Sequence, residues 1–291
     1  MLLVQGCASL PERPPPPPIT GDPTVDGRAK IDYALPADRS LETLQVALAQ
    51  LRAANPELAK TFFDEALSRI AESVNQPNLE AARARRRSES ESIKPFVGEP
   101  YERVMANLYR GLLYWADGEP DNARALFRSA QLIDSGTLDR KHSGDYIVLD
   151  YLDGFASAKL GGDGNDALFR ARENLNKAGL PPALIPDYNP ANNVLVFVEY
   201  GRASLKIASG KNKEQLAFQS ISTPIAQARL EVAGKKYPLP PLDDLAHQAT
   251  TRGPRVMDQV LANKSVLKNT SGAIGAAALQ VAYLAIEDLL T

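Results

Sequence analysis

One cysteine and two histidines in 291 residues set narrow limits on the chemistry of this chain. Cys7 stands alone, so no intramolecular disulfide and no cysteine-based zinc site can form. His142 and His247 by themselves argue against a histidine-rich metal site. No metal and no cofactor is therefore expected. An excess of charge of one sign is also missing. Lys plus Arg number 33 and Asp plus Glu 35, a net charge of −2. That balance removes the electrostatic case for a nucleic-acid partner. The chain has no Gly-x-Ser-x-Gly, no Walker loop, no zinc motif and no dinucleotide fingerprint. Its most apolar stretch, GAIGAAALQVAYLAI at 272–286, is interrupted by Gln280. It falls short of the roughly 20 residues that span a bilayer. We expect it to form a small-residue helix packed on strands, with membrane contact or self-association through Gly272 as the other reading.

Proline is plentiful at the start, in MLLVQGCASLPERPPPPP. Val4-Gln5-Gly6-Cys7 resembles a bacterial lipobox, in which the cysteine is acylated after cleavage of a signal peptide. The resemblance implies lipid attachment at Cys7. By the same resemblance, Ala8 after the cysteine is compatible with sorting to the outer membrane, facing the periplasm. Only five residues precede Gly6 and none is basic, so this reading needs a precursor that starts further upstream. Pro14 to Pro18 would form an extended polyproline spacer between bilayer and domain. The other readings are a tail with a stray cysteine and a proline-rich ligand for a signalling domain. Residues 1–37 show no helical or strand period and are expected to be a disordered tether.

From Ser40 the period becomes helical. Leu44, Ala47, Leu48 and Leu51 share one face. Asn55-Pro56 breaks the run, and Leu58, Phe62, Ala66 and Ile70 make a second face. Residues 75–98 are a polar connection, in which Arg85, Arg86 and Arg87 read as a solvated run and only weakly as an anion site. A second hairpin is expected with helices from Tyr101 to Ala116 and from Asp121 to Leu132. A third is expected over 145–178, turning at Gly161-Gly162-Asp163-Gly164, which lacks the lysine and hydroxyl of a phosphate loop. After LPPALIPDYNP the period changes. NNVLVFVEYGRASLKIAS reads as two short strands around Gly201, and LAFQSISTPIAQARLEVAGKKYPL as one or two more with a turn at Gly234-Lys235. Helix returns from about Arg255 to Leu290.

The hairpins carry the spacing of a tetratricopeptide unit, whose period is about 34 residues. In the second hairpin Gly111 and Ala123 take the close-packing positions, Tyr114 and Phe127 the aromatic ones, and Ala130 the last small one. Ala47, Ala59, Phe63 and Ala66 repeat this in the first. The third has Ala167 and Ala171 but Asn174 where a small residue is expected. The other reading is a generic helical bundle with the same alanine spacing. The expected fold class is mainly α: tetratricopeptide-like helical hairpins over 38–185, followed by a smaller α+β C-terminal segment over 186–291. Such repeats bind an extended peptide or another protein. The alignment points Leu108, Leu112 and Trp115 toward the concave side as partner-binding candidates, with a core role as the alternative for Trp115.

GEPYERVM at 98–105, VLVFVEYGRASLK and QATTRGPRVMDQVLANKSVLK together resemble an uncharacterised family of tetratricopeptide-type bacterial lipoproteins. The resemblance covers most of residues 40–270 and implies kinship, with no activity attached to residues. In its first motif Glu99, Glu102 and Arg103 open a helix, with acids suited to the helix dipole. Arg103 and Arg128 are expected to pair with Glu99 or Glu102 and orient the helices. Thr251, Arg252 and Arg255 form the most reactive-looking polar cluster. A helix beginning near Pro254 would make them an anion site or simply a capped helix start. Three functions remain open. One is a membrane-anchored, non-enzymatic adaptor with a protein partner and a bilayer contact through acylated Cys7. The second is a small-ligand, glycan-binding or hydrolytic module in the C-terminal segment. The third is a cytoplasmic repeat adaptor.

Overall fold

The computed structural model describes residues 14–74, 96–136, 142–189, 191–192, 194–209, 215–219, 221–222, 225 and 228–251. Cys7, Arg85 to Arg87, Arg252, Arg255, the apolar stretch 272–286 and the helix expected from Arg255 lie outside the described residues. The chain divides into one compact unit up to Val97 and another from Gly98. The expected boundary at 185/186 has no counterpart in this division. Both β-hairpins belong to the same unit as the second and third helical hairpins.

The first unit opens with α1, Pro23–Tyr33, inside the stretch expected to be disordered. Asp22 caps it by accepting the amides of Thr24 and Val25, and Pro23 supplies its first turn. Thr20 and Gly21 donate to the Asp26 carboxylate, and the Tyr33 hydroxyl donates to the Pro14 carbonyl at 2.9 Å. The helix has no apolar stripe because it buries only Gly27 and Ile31. Gly27 lets it approach so closely that an added Cβ would lie 2.9 Å from Val46 Cγ1. A helix docked through a glycine leaves no period for sequence analysis to find.

Helices α2 (Arg39–Arg52) and α3 (Pro56–Val74) form the first hairpin, broken at Asn55-Pro56 as the sequence predicts. Ala59, Phe62, Phe63, Ala66 and Ile70 are buried in α3. In α2 the buried residues are Ser40, Thr43, Val46, Ala47 and Gln50, whereas Leu44, Leu48 and Leu51 are half-buried. Its buried face is thus rotated from the predicted one toward the Val46 contact with α1.

In the second unit α4 (Pro100–Ala116) pairs with α5 (Pro120–Ser135), and α6 (Ile147–Lys159) with α7 (Asn165–Lys177). Helix α6 also packs on α5. Val104, Leu108, Ala123, Phe127, Ala130, Tyr146, Leu149 and Leu152 form the core. The first helix of every hairpin ends in the same way. Its cap is followed by a residue with positive φ: Ala54 at 60°, Gly118 at 79° and Gly161 at 77°. The next amide then reaches back six residues inclusive: Asn55 to Gln50, Glu119 to Tyr114, and Gly162 to Ser157, each at 2.9 Å. This is the Schellman closure, which satisfies carbonyls left open at a helix end.

Beyond α7, a single 3-10 turn at Pro182–Leu184 leads to Ile185, buried with Ile147, Leu168, Ala171 and Leu175. β1 (Leu205–Ser209) and β2 (Gln215–Gln219) form one antiparallel hairpin, with Leu205 opposite Gln219. β3 (Ala228–Val232) and β4 (Lys235–Leu239) form another, with Val232 opposite Lys235. The second turns through Ala233 and Gly234, both with positive φ, as a two-residue hairpin loop requires. The strand expected before Gly201 is not a strand. Leu195 instead packs on the helical core and finds no strand partner. A short helix, α8 (Leu245–Thr250), ends the described chain.

Candidate functional site

Pro100 begins α4, and a reciprocal capping box between Glu99 and Glu102 holds its start. The Glu99 amide donates to Glu102 Oε2 at 2.8 Å. The acids of this motif therefore do the local work the sequence assigns them. The expected inter-helix pairs are different. Glu102 pairs with Lys206 Nζ at 2.7 Å, and so ties α4 to β1. Burial pulls the Arg103 guanidinium below its usual pKa, while the Glu99 charge opposes that shift. Arg128 is exposed on α5, and no ion pair joins it to either acid among the described residues.

The network that orients the helices uses residues the sequence reading missed. Asp150 and Asp153, each 5% exposed, sit one turn apart on α6. From α5, Arg124 Nε donates to Asp153 Oδ1 at 2.8 Å and Gln131 Nε2 to Asp150 Oδ1 at 2.9 Å. From α7, Arg170 Nε donates to Asp150 Oδ1 at 3.0 Å and Asn174 Nδ2 to Asp150 Oδ2 at 3.2 Å. Asn174 also donates to the Gly144 carbonyl at 2.8 Å, which explains a polar residue where the repeat pattern wants a small one. Burial pushes the Asp150 carboxyl above its ordinary pKa, against the hydrogen bond and charge of Arg170. The available signal was an acid pair spaced i, i+3 in an otherwise apolar helix.

The three partner-binding candidates on α4 have different surroundings. Leu108 is 7% exposed and belongs to the core, so it presents no surface to a partner. Leu112 and Trp115 are half-buried and pack against that core. The Trp115 ring lies 5.4 Å from Phe155, which in turn stacks on Tyr151 and meets Tyr188 edge-on. The chain itself runs beside this face of α4. The Tyr109 hydroxyl donates to Glu199, and Lys159 Nζ donates to the Asn192 carbonyl at 3.0 Å. Leu195 packs inward, while its neighbours face out. Val194 is 73% exposed, Val196 51%, Phe197 42% and Val198 46%.

Thr251 closes the C-terminal end of α8, where its hydroxyl donates to the His247 carbonyl at 2.6 Å. That places it at the negative end of α8 with its hydroxyl engaged, while the helix expected from Pro254 lies outside the described residues. Upstream, Asp243 accepts the amides of Ile147 at 3.0 Å and Val148 at 2.7 Å, and so caps α6 from a distant part of the chain. Burial pushes its pKa up to about 7, with Asp145 and Asp134 adding to the effect and the two amides opposing it. The same segment brings His247 to His142 and Asp145. The low histidine count argued against a histidine-rich site, yet it does not bear on where the two residues end up. Their convergence was invisible because it depends on the path of the chain between them.

Among the described residues no helix is long and apolar enough to cross a membrane. The fold class is mainly helical, with two small antiparallel sheets toward the C-terminus. Comparison with protein families, with curated proteins and with solved structures returns no match.

Proposed function

We propose that this chain is a non-enzymatic scaffold or adaptor lipoprotein of the bacterial cell envelope. It is anchored through acylated Cys7 in the outer membrane, faces the periplasm, and binds a protein partner through its tetratricopeptide-like hairpins.

 The proline-rich stretch spaces the domain from the bilayer. The observation that carries this reading is the shared closure of the hairpins. Ala54, Gly118 and Gly161 occupy the same place after the first helix, with the same backbone bond at 2.9 Å. Small residues at the crossings add support. A Cβ on Gly111 would lie 2.6 Å from Phe127 Cε1, and Ala123 and Ala130 are fully buried. Because Leu108 is in the core, the partner surface narrows to half-buried Leu112 and Trp115 of α4, extended by the outward row Val194, Val196, Phe197 and Val198 of the chain beside it. Contiguous exposed apolar side chains are a common mark of protein contact.

Two measurements test the proposal. The first is the intact mass of the protein from detergent-extracted membranes of its own host, expressed with its native upstream region. A chain starting at Cys7 with added acyl mass supports the anchor. An unmodified chain in the soluble fraction rejects it and leaves a cytoplasmic adaptor. The second is a photo-crosslinker at Phe197, with exposed Arg128 as the control position. A discrete adduct specific to Phe197 supports the assigned surface, and identical patterns at both positions reject it.

A further inference from the structure

We propose that His142, Asp145 and His247 form a binding site for one first-row divalent cation, with Zn2+ the best fit. The chain has two histidines, and both converge on one carboxylate. One ligand atom from each of the three residues lies within 4.8 Å of the others. His142 Nδ1 is 3.5 Å and His247 Nε2 is 3.4 Å from the same oxygen, Asp145 Oδ2. These distances favour one of two explanations. They are long for N–H···O hydrogen bonds, which run to about 3.2 Å. They match the edge of a tetrahedron around a metal with ligands at about 2.0–2.1 Å, which is about 3.4 Å. The imidazoles lie edge to face, with centroids 5.4 Å apart and planes at 79°, so their nitrogens can reach a common point without stacking.

The carboxylate is held in place. Gln248, only 2% exposed, donates from Nε2 to Asp145 Oδ1 at 2.9 Å. Both imidazoles face the other oxygen, Oδ2, and an amide bond of this kind is how a neighbouring group orients a metal-binding carboxylate. His247 is exposed, so the fourth position opens to solvent and a water would complete the set. Two imidazoles and one carboxylate suit zinc and its neighbours better than Mg2+ or Ca2+, which favour oxygen ligands. The cation would clamp α8 onto the loop before α6, across 103 residues of sequence at the Asp145–Gln248 bond. The proposal does not depend on the adaptor reading.

The test is a Zn2+ titration of the full chain, without a histidine tag, in competition with a chromophoric chelator. One equivalent should bind with a Kd on the order of 1 μM or tighter. His142→Ala, His247→Ala and Asp145→Asn should each weaken binding about tenfold or more. Co2+ should give intense visible absorption of a low-coordinate site, lost in the same variants. His247→Ala changes an exposed side chain, so an unchanged circular-dichroism melt of the metal-free variant separates lost ligation from lost folding. Binding weaker than about 1 mM would overturn the proposal. So would binding that survives in the His142→Ala/His247→Ala double variant, or a Co2+ spectrum like that of the aqueous ion.

Discussion

The hairpins α4–α5 and α6–α7 have similar lengths and the same Schellman closure, yet they are held together differently. In α4–α5 a glycine faces an aromatic ring. Gly111 leaves room for Phe127, and the contact is apolar. In α6–α7 backbone meets backbone. A Cβ on Gly154 would lie 2.8 Å from the Gly164 carbonyl oxygen, and Asp150 and Asp153 bond to helices on both sides. One hairpin obtains its orientation from packing and the other from glycine contact plus directed polar bonds. A sequence pattern of small and aromatic residues describes the first well and the second poorly.

The largest effect should come from emptying the apolar contact. Phe127→Ala should cost about 3–5 kcal/mol in chemical denaturation, because Phe127 is fully buried. Adding a methyl group compares the two crossings directly. Gly154→Ala should destabilise by about 1–3 kcal/mol and more than Gly111→Ala. The first meets a carbonyl fixed by the chain, the second a side chain that can shift. Equal losses would break the distinction between the hairpins.

The polar hairpin should also respond to pH. Asp150 is raised above 3.8, chiefly by burial, while Arg170 and Asn174 oppose the rise and Asp153 adds to it. Gln131 faces it from α5. Between pH 3.8 and its higher folded pKa, the folded state therefore holds a proton that the unfolded chain has released. Stability from this group falls as pH rises toward the folded pKa and then levels off. Denaturant midpoints across that range should show the fall, and Asp150→Asn should flatten it. The smallest expected effect concerns the closure that the hairpins share. Ala54 has a φ of 60° where the other two hairpins carry glycine. Ala54→Gly should stabilise the first unit by about 0.5–1 kcal/mol, measured by thermal melting.

The hairpin helices were legible because their apolar residues repeat at helical spacing and Pro56 marks a start. Pro100 and Pro120 open α4 and α5 one residue before the expected starts. The small-residue positions Gly111, Ala123 and Ala130 were legible for the same reason. Helix α1 was not, since a close contact through Gly27 needs no stripe. The stretch before Gly201 was misread because β-favouring residues such as Val194 and Val196 form a strand only beside a partner strand. Leu108 was misassigned for a related reason. A helix position toward the concave side of a repeat is open only if nothing else in the fold covers it.

The sequence by itself determined the six helices of the three hairpins and where each hairpin turns, because these follow from residues near one another. Only the tertiary structure decided that Asp150 and Asp153 are bonded from α5 and α7, that Asp243 caps α6, and that His142 and His247 share Asp145. Those contacts join distant parts of the chain. Local spacing fixes which face of an element is apolar, but it does not fix which distant side chain arrives at that face.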